Sequence, residues 1–146
     1  MAAWQSSRVG LLIMCPSNTH TRTVHADKQA RAGRLSKAKQ FLQVADDART
    51  LAQDDEVADA AATLYIHAGI AAADAICAAA LGKYSRGEDH QQAIRLLETV
   101  DREASRQLKT LLSMKTRAGY GYAPVGRQDL IRAARAAQTL VGRASQ

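Results

Sequence analysis

The chain has 146 residues, a mass of 15.7 kDa and a formal charge of +6, enough length for one domain with its own core. Hydrophobic residues make up 47% and aromatics only 4%, which excludes a wholly disordered chain and disfavours a β-sandwich core. No unbroken apolar run of about 18 residues occurs, so no membrane-spanning helix and no membrane contact are expected. Thirty alanines, with two prolines and nine glycines, leave long unpunctuated stretches and point to an all-α fold.

Residues 1–24 read differently from the rest. Val9 to Cys15 is a short apolar run after Arg8, closed by Pro16. It is shorter than a signal-peptide core usually is, and Met14 is not the small residue that a lipoprotein cleavage site wants. The segment is therefore expected to be a disordered or dispensable extension, with residues 25–146 forming a single helical domain. Cys15 and Cys77 match no metal-ligand spacing and make no disulfide framework, so a reducing cytoplasm is the expected location. Fourteen arginines against six lysines, with the alanine load, have the compositional look of a high-GC bacterial genome.

Four helices follow from the three- and four-residue spacing of apolar side chains. The first is expected over 36–52, with Ala38, Phe41, Leu42, Ala45, Ala48 and Ala52 on one stripe. Basic residues at 28, 31, 34, 37 and 39 precede or open it, and an earlier start with a break near Gly33 is the alternative. Asp54, Asp55 and Glu56 supply an acidic first turn for the second helix, expected over 56–81 and stopped by Gly82. From Ala60 to Leu81 this helix is apolar nearly all round. That pattern asks for cover on both faces, and with only four helices a second subunit is the expected source.

The stretch Lys83 to Asp89 is polar. Ser85 with Glu88 has capping-box spacing, and Asp89 is an equal cap candidate. A third helix is expected over 90–118, striped by Ala93, Leu97, Val100, Ala104, Leu108, Leu111 and Ala118. The sequence Gly119-Tyr-Gly-Tyr-Ala-Pro124 breaks it, and a fourth helix opens near Arg127 with Gly126 as its cap. Short connections make antiparallel neighbours, so the expected architecture is an up-down antiparallel four-helix bundle.

Several polar residues stand where an apolar one is expected. Asp74 lies within Ala-Ala-Ala-Asp-Ala-Ile, and a charged carboxylate there needs a partner. Lys115, on the stripe of the third helix, is the expected one, with Arg117 as the alternative. His67 projects from nearly the same angle as Asp74 and completes a buried polar network of His67, Asp74 and Lys115. Such a network either fixes helix register or lines a ligand pocket. Arg86 and His90 stand at a helix start, where a cation, an imidazole and backbone amides suit a phosphate. They are also the parts of a metal-independent ribonuclease: a base for the ribose hydroxyl and a cation for the phosphorane.

Charge is unevenly distributed. Residues 54–81 carry −5 and residues 109–146 carry +6. Arg132, Arg135 and Arg143 share one side of the last helix and suit nucleic-acid phosphates. Tyr120 and Tyr122 suit a stacked base, or alternatively anchor the helix end by packing. No phosphate-binding loop, dinucleotide fingerprint, paired-histidine motif or nucleophile elbow is present, so neither metal nor cofactor is expected.

Three segments carry a family resemblance. They are Ala61-Ala-Thr-Leu-Tyr-Ile-His-Ala-Gly-Ile-Ala-Ala-Ala-Asp-Ala-Ile76, Ser85-Arg-Gly-Glu-Asp-His90, and Lys115-Thr-Arg-Ala-Gly-Tyr-Gly-Tyr122 before an alanine-rich last helix. Over about residues 36–143 the chain resembles HEPN-type domains, small four-helix bundles of prokaryotic toxin–antitoxin and defence systems. The resemblance implies a homodimer. In catalytic members it also implies metal-free RNA cleavage by an Arg followed several residues later by His near the last helices. Here Arg86 and His90 are more closely spaced and precede the third helix, and no His follows Arg117 at a useful distance. The chain is thus more similar to nuclease-inactive members, which bind RNA, a nucleotide or a partner protein such as a nucleotidyltransferase. The expected function is a non-catalytic dimeric interaction module. The alternative is an endoribonuclease using Arg86 and His90.

Overall fold

A computed structural model describes residues 22–146. Among them are six helices and two short strands, in the order β1 (Thr23–His25), α1 (Lys28–Leu51), α2 (Asp54–Leu81), β2 (Lys83–Ser85), α3 (His90–Glu98), α4 (Arg102–Ser113), α5 (Lys115–Gly119) and α6 (Arg127–Ala144). The expected apolar run with Cys15 lies outside the described residues. The expected boundary at residue 24 falls inside β1, which pairs antiparallel with β2 through Thr23–Ser85, Val24–Tyr84 and His25–Lys83.

α1 starts eight residues before the expected position because Asp27 caps it, accepting from the amide of Ala30 at 2.7 Å. Gly33 causes no break in α1. α2 ends as expected, at Gly82 with φ of 66°, a left-handed conformation that glycine adopts without a Cβ penalty. The reversal at Gly82 sends the chain into β2, and the amide of Ala26 donates to the Gly82 carbonyl.

The single helix expected over 90–118 is three helices. Asp89 caps α3 through the amide of Gln92, and Asp101 caps α4 through the amide of Ala104, both at 3.0 Å. An Asp capping side chain inside an apolar stripe competes with the helix for its own backbone and restarts it. The stripe continues across the break because Ser105 Oγ on α4 donates to the carbonyl of Ile94 on α3. A second interruption at Met114 separates α4 from α5.

α2 is the axis of the fold. Ala61, Ala62, Tyr65, Ile66, Ala68, Ala72 and Ala75 are buried along it, facing a core completed by Leu97, Leu108, Leu111, Leu130 and Leu140. α1, α4, α5 and α6 all pack against it. Much of its apolar surface is therefore covered by its own chain, while Leu64, Ile70 and Ile76 are half-buried and Ala79, Ala80 and Leu81 at its C-terminal end are exposed. Glu56–Leu81 is also long and apolar enough to cross a membrane by length and composition, although Thr63, His67 and Asp74 interrupt any strict apolar run. In this fold it is the core helix.

Close approach explains Gly69. A Cβ there would run into Leu111 Cδ1 and stand 3.2 Å from Leu140 Cδ1, so glycine lets α4 and α6 reach the axis. The buried Tyr65 ties α1 to α2, its hydroxyl donating to Asp46 at 2.6 Å.

Candidate functional site

The early start of α1 determines the partner of Asp74. Arg34 lies in register with Ala38, Phe41 and Ala45 on the side of α1 that packs on α2. Its Nη2 meets Asp74 Oδ2 at 2.6 Å, with side-chain exposures of 27% and 11%. The expected pairing with Lys115 or Arg117 is thus replaced: Lys115 is on α5 and Arg117 reaches Asp129. His67 is exposed and tilted against Phe41, with ring centroids 5.6 Å apart, outside any network with Asp74. Burial pushes the Asp74 carboxyl up to about 6, even though the Arg34 charge and hydrogen bond pull it down.

This ion pair forms one wall of an open pocket of about 350 Å³ lined by residues of α1, α2, β2, the following loop, α3 and α4. Ile70, Ala73, Ala93, Leu108 and Leu112 make its apolar half. Tyr84, Ser85, Glu88 and His90 complete its polar half, with the Arg34 guanidinium 5.9 Å from the Tyr84 ring centroid. His90, expected as a base, is bound to a cation: Lys115 Nζ and His90 Nε2 are 2.7 Å apart. An ammonium has no acceptor, so the imidazole nitrogen accepts. Burial first, and then the Lys115 charge, lower the His90 pKa. The proton then resides on Nδ1, making the ring a donor.

A phosphate seat at the start of α3 is not formed as expected. The Asp89 carboxylate already accepts from the first-turn amide of Gln92, and Glu88 lies beside it. Arg86 is exposed and takes part in the strand pair through its backbone, its amide donating to the Arg22 carbonyl.

The arginine face expected on α6 is divided. Arg143 makes a bidentate pair with Asp101, Nε to Oδ2 at 2.6 Å and Nη2 to Oδ1 at 2.9 Å, so it joins α6 to the cap of α4. Arg132 lies 3.2 Å from Asp129, which also holds Arg117 at 3.3 Å. Arg135 is exposed and makes no ion pair among the described residues.

The loop after α5 presents Tyr120 and Tyr122 at 82% and 103% exposure, so neither ring packs as an anchor. The loop is held by the amides of Tyr120 and Gly121, both donating to the Thr116 carbonyl at 2.9 Å. A Cβ at Gly121 would stand 3.3 Å from the Arg117 backbone. Arg117, Tyr122, Asp129 and Arg132 line a groove of about 470 Å³.

Cys77 is buried, and burial pushes its thiol up to about 12, which excludes a reactive thiolate at neutral pH. No cluster of three metal-ligating side chains occurs among the described residues. Sequence reasoning missed Arg34 and Tyr84. The spacing of Arg34 to Ala38, Phe41 and Ala45 was the available signal for the first, and a two-strand pairing across two whole helices, α1 and α2, left none for the second. No protein-family model matches the chain, and no curated protein matches it.

Proposed function

We propose that this chain is a non-catalytic, HEPN-like binding module for single-stranded RNA, with the contact surface on the α5–α6 loop and the adjoining turn of α6. The observation that carries the reading is the exposed Tyr122 in one groove with Arg117 and Arg132, with the exposed Tyr120 two residues before it on the same loop. Two cations share the single Asp129 carboxylate, leaving one positive charge uncompensated in the groove that Tyr122 also lines. Arg135 extends the positive surface one turn further. Phosphates suit the guanidinium groups, and bases stack on phenol rings regardless of sequence.

The ribonuclease alternative needs a free base at position 90. The His90 lone pair is engaged by Lys115, and the neighbouring Asp89 and Glu88 repel a phosphate diester. Binding without cleavage therefore fits better than catalysis.

Fluorescence anisotropy with labelled single-stranded RNA, in the presence of a chelator, tests both. The RNA stays intact and binds. Tyr122→Ala weakens binding by about 1–3 kcal/mol, the usual worth of a stacked base. Arg132→Gln reduces the slope of log affinity against log salt by about one. Affinity indifferent to Tyr122→Ala would overturn the surface. Cleavage abolished by His90→Ala would establish the nuclease reading instead.

A further inference from the structure

The outer side of α1 carries a second apolar stripe. Phe41, Val44, Ala48 and Leu51 recur at three- and four-residue steps, the spacing of a helix-packing seam. Val44 is 54% and Leu51 86% exposed, while Phe41 and Ala48 are half-buried, so the stripe looks out of the fold. α2 runs antiparallel beside it. The Arg34–Asp74 and Phe41–His67 contacts fix the level of the two helices, and the same count sets Ala60 beside Ala48 and Glu56 beside Ala52. Ala60 and His67 are exposed. One face therefore crosses both helices, with the Phe41 and His67 rings at one end, Ala48 and Ala60 at the other, and Val44 midway.

Charge follows the same axis. Lys37 lies beyond the rings and Glu56 beyond the alanines. Both are exposed, and neither makes an ion pair among the described residues. Lys37 and Leu51 stand about 10 Å to either side of Val44 along α1.

We propose that this face joins two copies of the chain, with their α1 helices antiparallel across a two-fold axis at Val44. Turned about that axis, the Phe41 and His67 rings meet the small Ala48 and Ala60 of the other copy, Val44 meets its own counterpart, and each Lys37 meets the other copy's Glu56. A surface complementary to itself in both size and sign is what an isologous contact requires. A foreign partner would have to reproduce both patterns, which a second copy already carries. The patch is about 400 Å² in outline, small for a permanent complex, so concentration governs the association. It shares no residue with the groove at Tyr122 and does not depend on the RNA reading.

The test is sedimentation equilibrium of the full chain up to about 0.5 mM, where even a millimolar dimer is measurable. The native chain shows a reversible monomer–dimer equilibrium. Val44→Asp sets two carboxylates against each other on the axis and weakens it at least about tenfold, with the urea midpoint unchanged because the side chain is exposed. Lys37→Glu alone and Glu56→Lys alone each create two like-charge pairs and weaken it at least about tenfold. Mixing those two variants restores both opposite pairs, and a heterodimer forms within about threefold of native affinity. Arg95→Glu, an exposed charge reversal on α3, leaves association unchanged. The proposal is overturned by a chain that stays monomeric throughout, by a dimer indifferent to Val44→Asp, or by charge variants whose mixture associates no better than either one alone.

Discussion

Replacing Asp74 by asparagine removes a buried charge while nearly preserving the shape of the side chain. In the native protein the carboxyl is raised from 3.8 to about 6, mainly by burial and against the pull of Arg34. An acid whose folded value lies above its unfolded value binds its proton more tightly when folded. Its stabilising contribution is complete below about 3.8 and is lost as pH rises through about 6. The difference between those two values corresponds to about 3 kcal/mol. Against a typical domain stability of about 5–15 kcal/mol, that is a large fraction. The assay is urea unfolding of the native chain and Asp74→Asn from about pH 4 to about pH 7.5, compared as a difference at each pH. Other titrating groups, including Asp101 and His90, are common to both proteins and largely cancel. The asparagine variant should gain about 2 kcal/mol on the native chain across that interval, because part of the contribution is already lost at pH 4. A flat difference would refute the reasoning. A difference of opposite sign would mean that the Arg34 pair outweighs burial.

Two further predictions concern packing and capping. Gly69→Ala places a methyl against Leu111 and Leu140 and should cost about 1–3 kcal/mol, read as a lower urea midpoint; an unchanged midpoint would show that Leu111 moves aside freely. Asp101→Ala removes the cap of α4 and should cost about 1 kcal/mol at neutral pH. The Arg143 hydrogen bond holds the Asp101 carboxyl below its ordinary value, so this cost should shrink as pH falls through that lowered value. A cost independent of pH would remove the carboxylate from the explanation.

Local signals located much of the helical framework. The alternation of apolar positions placed α2 and α6 closely, and Gly82, Asp89 and Gly126 stood at the ends where backbone groups need a cap or a left-handed turn. The same periodicity concealed the breaks at Asp101 and Met114, because a stripe continues across a restart when consecutive helices pack on one neighbour. Asp74 was legible as a charge in need of a partner, and His90 as a polar residue at a helix start.

Partner choice required the tertiary structure. Spacing along one helix says which side chains share a face, while the group that meets them depends on how a second helix is laid across it. Thus Arg34 rather than Lys115 holds Asp74, Lys115 holds His90, and Arg143 is committed to Asp101. The apolar girth of α2 was written in the sequence; which part of it α1, α4, α5 and α6 of the same chain cover was decided by their packing, since alanine and glycine let helices approach closely enough to close the core.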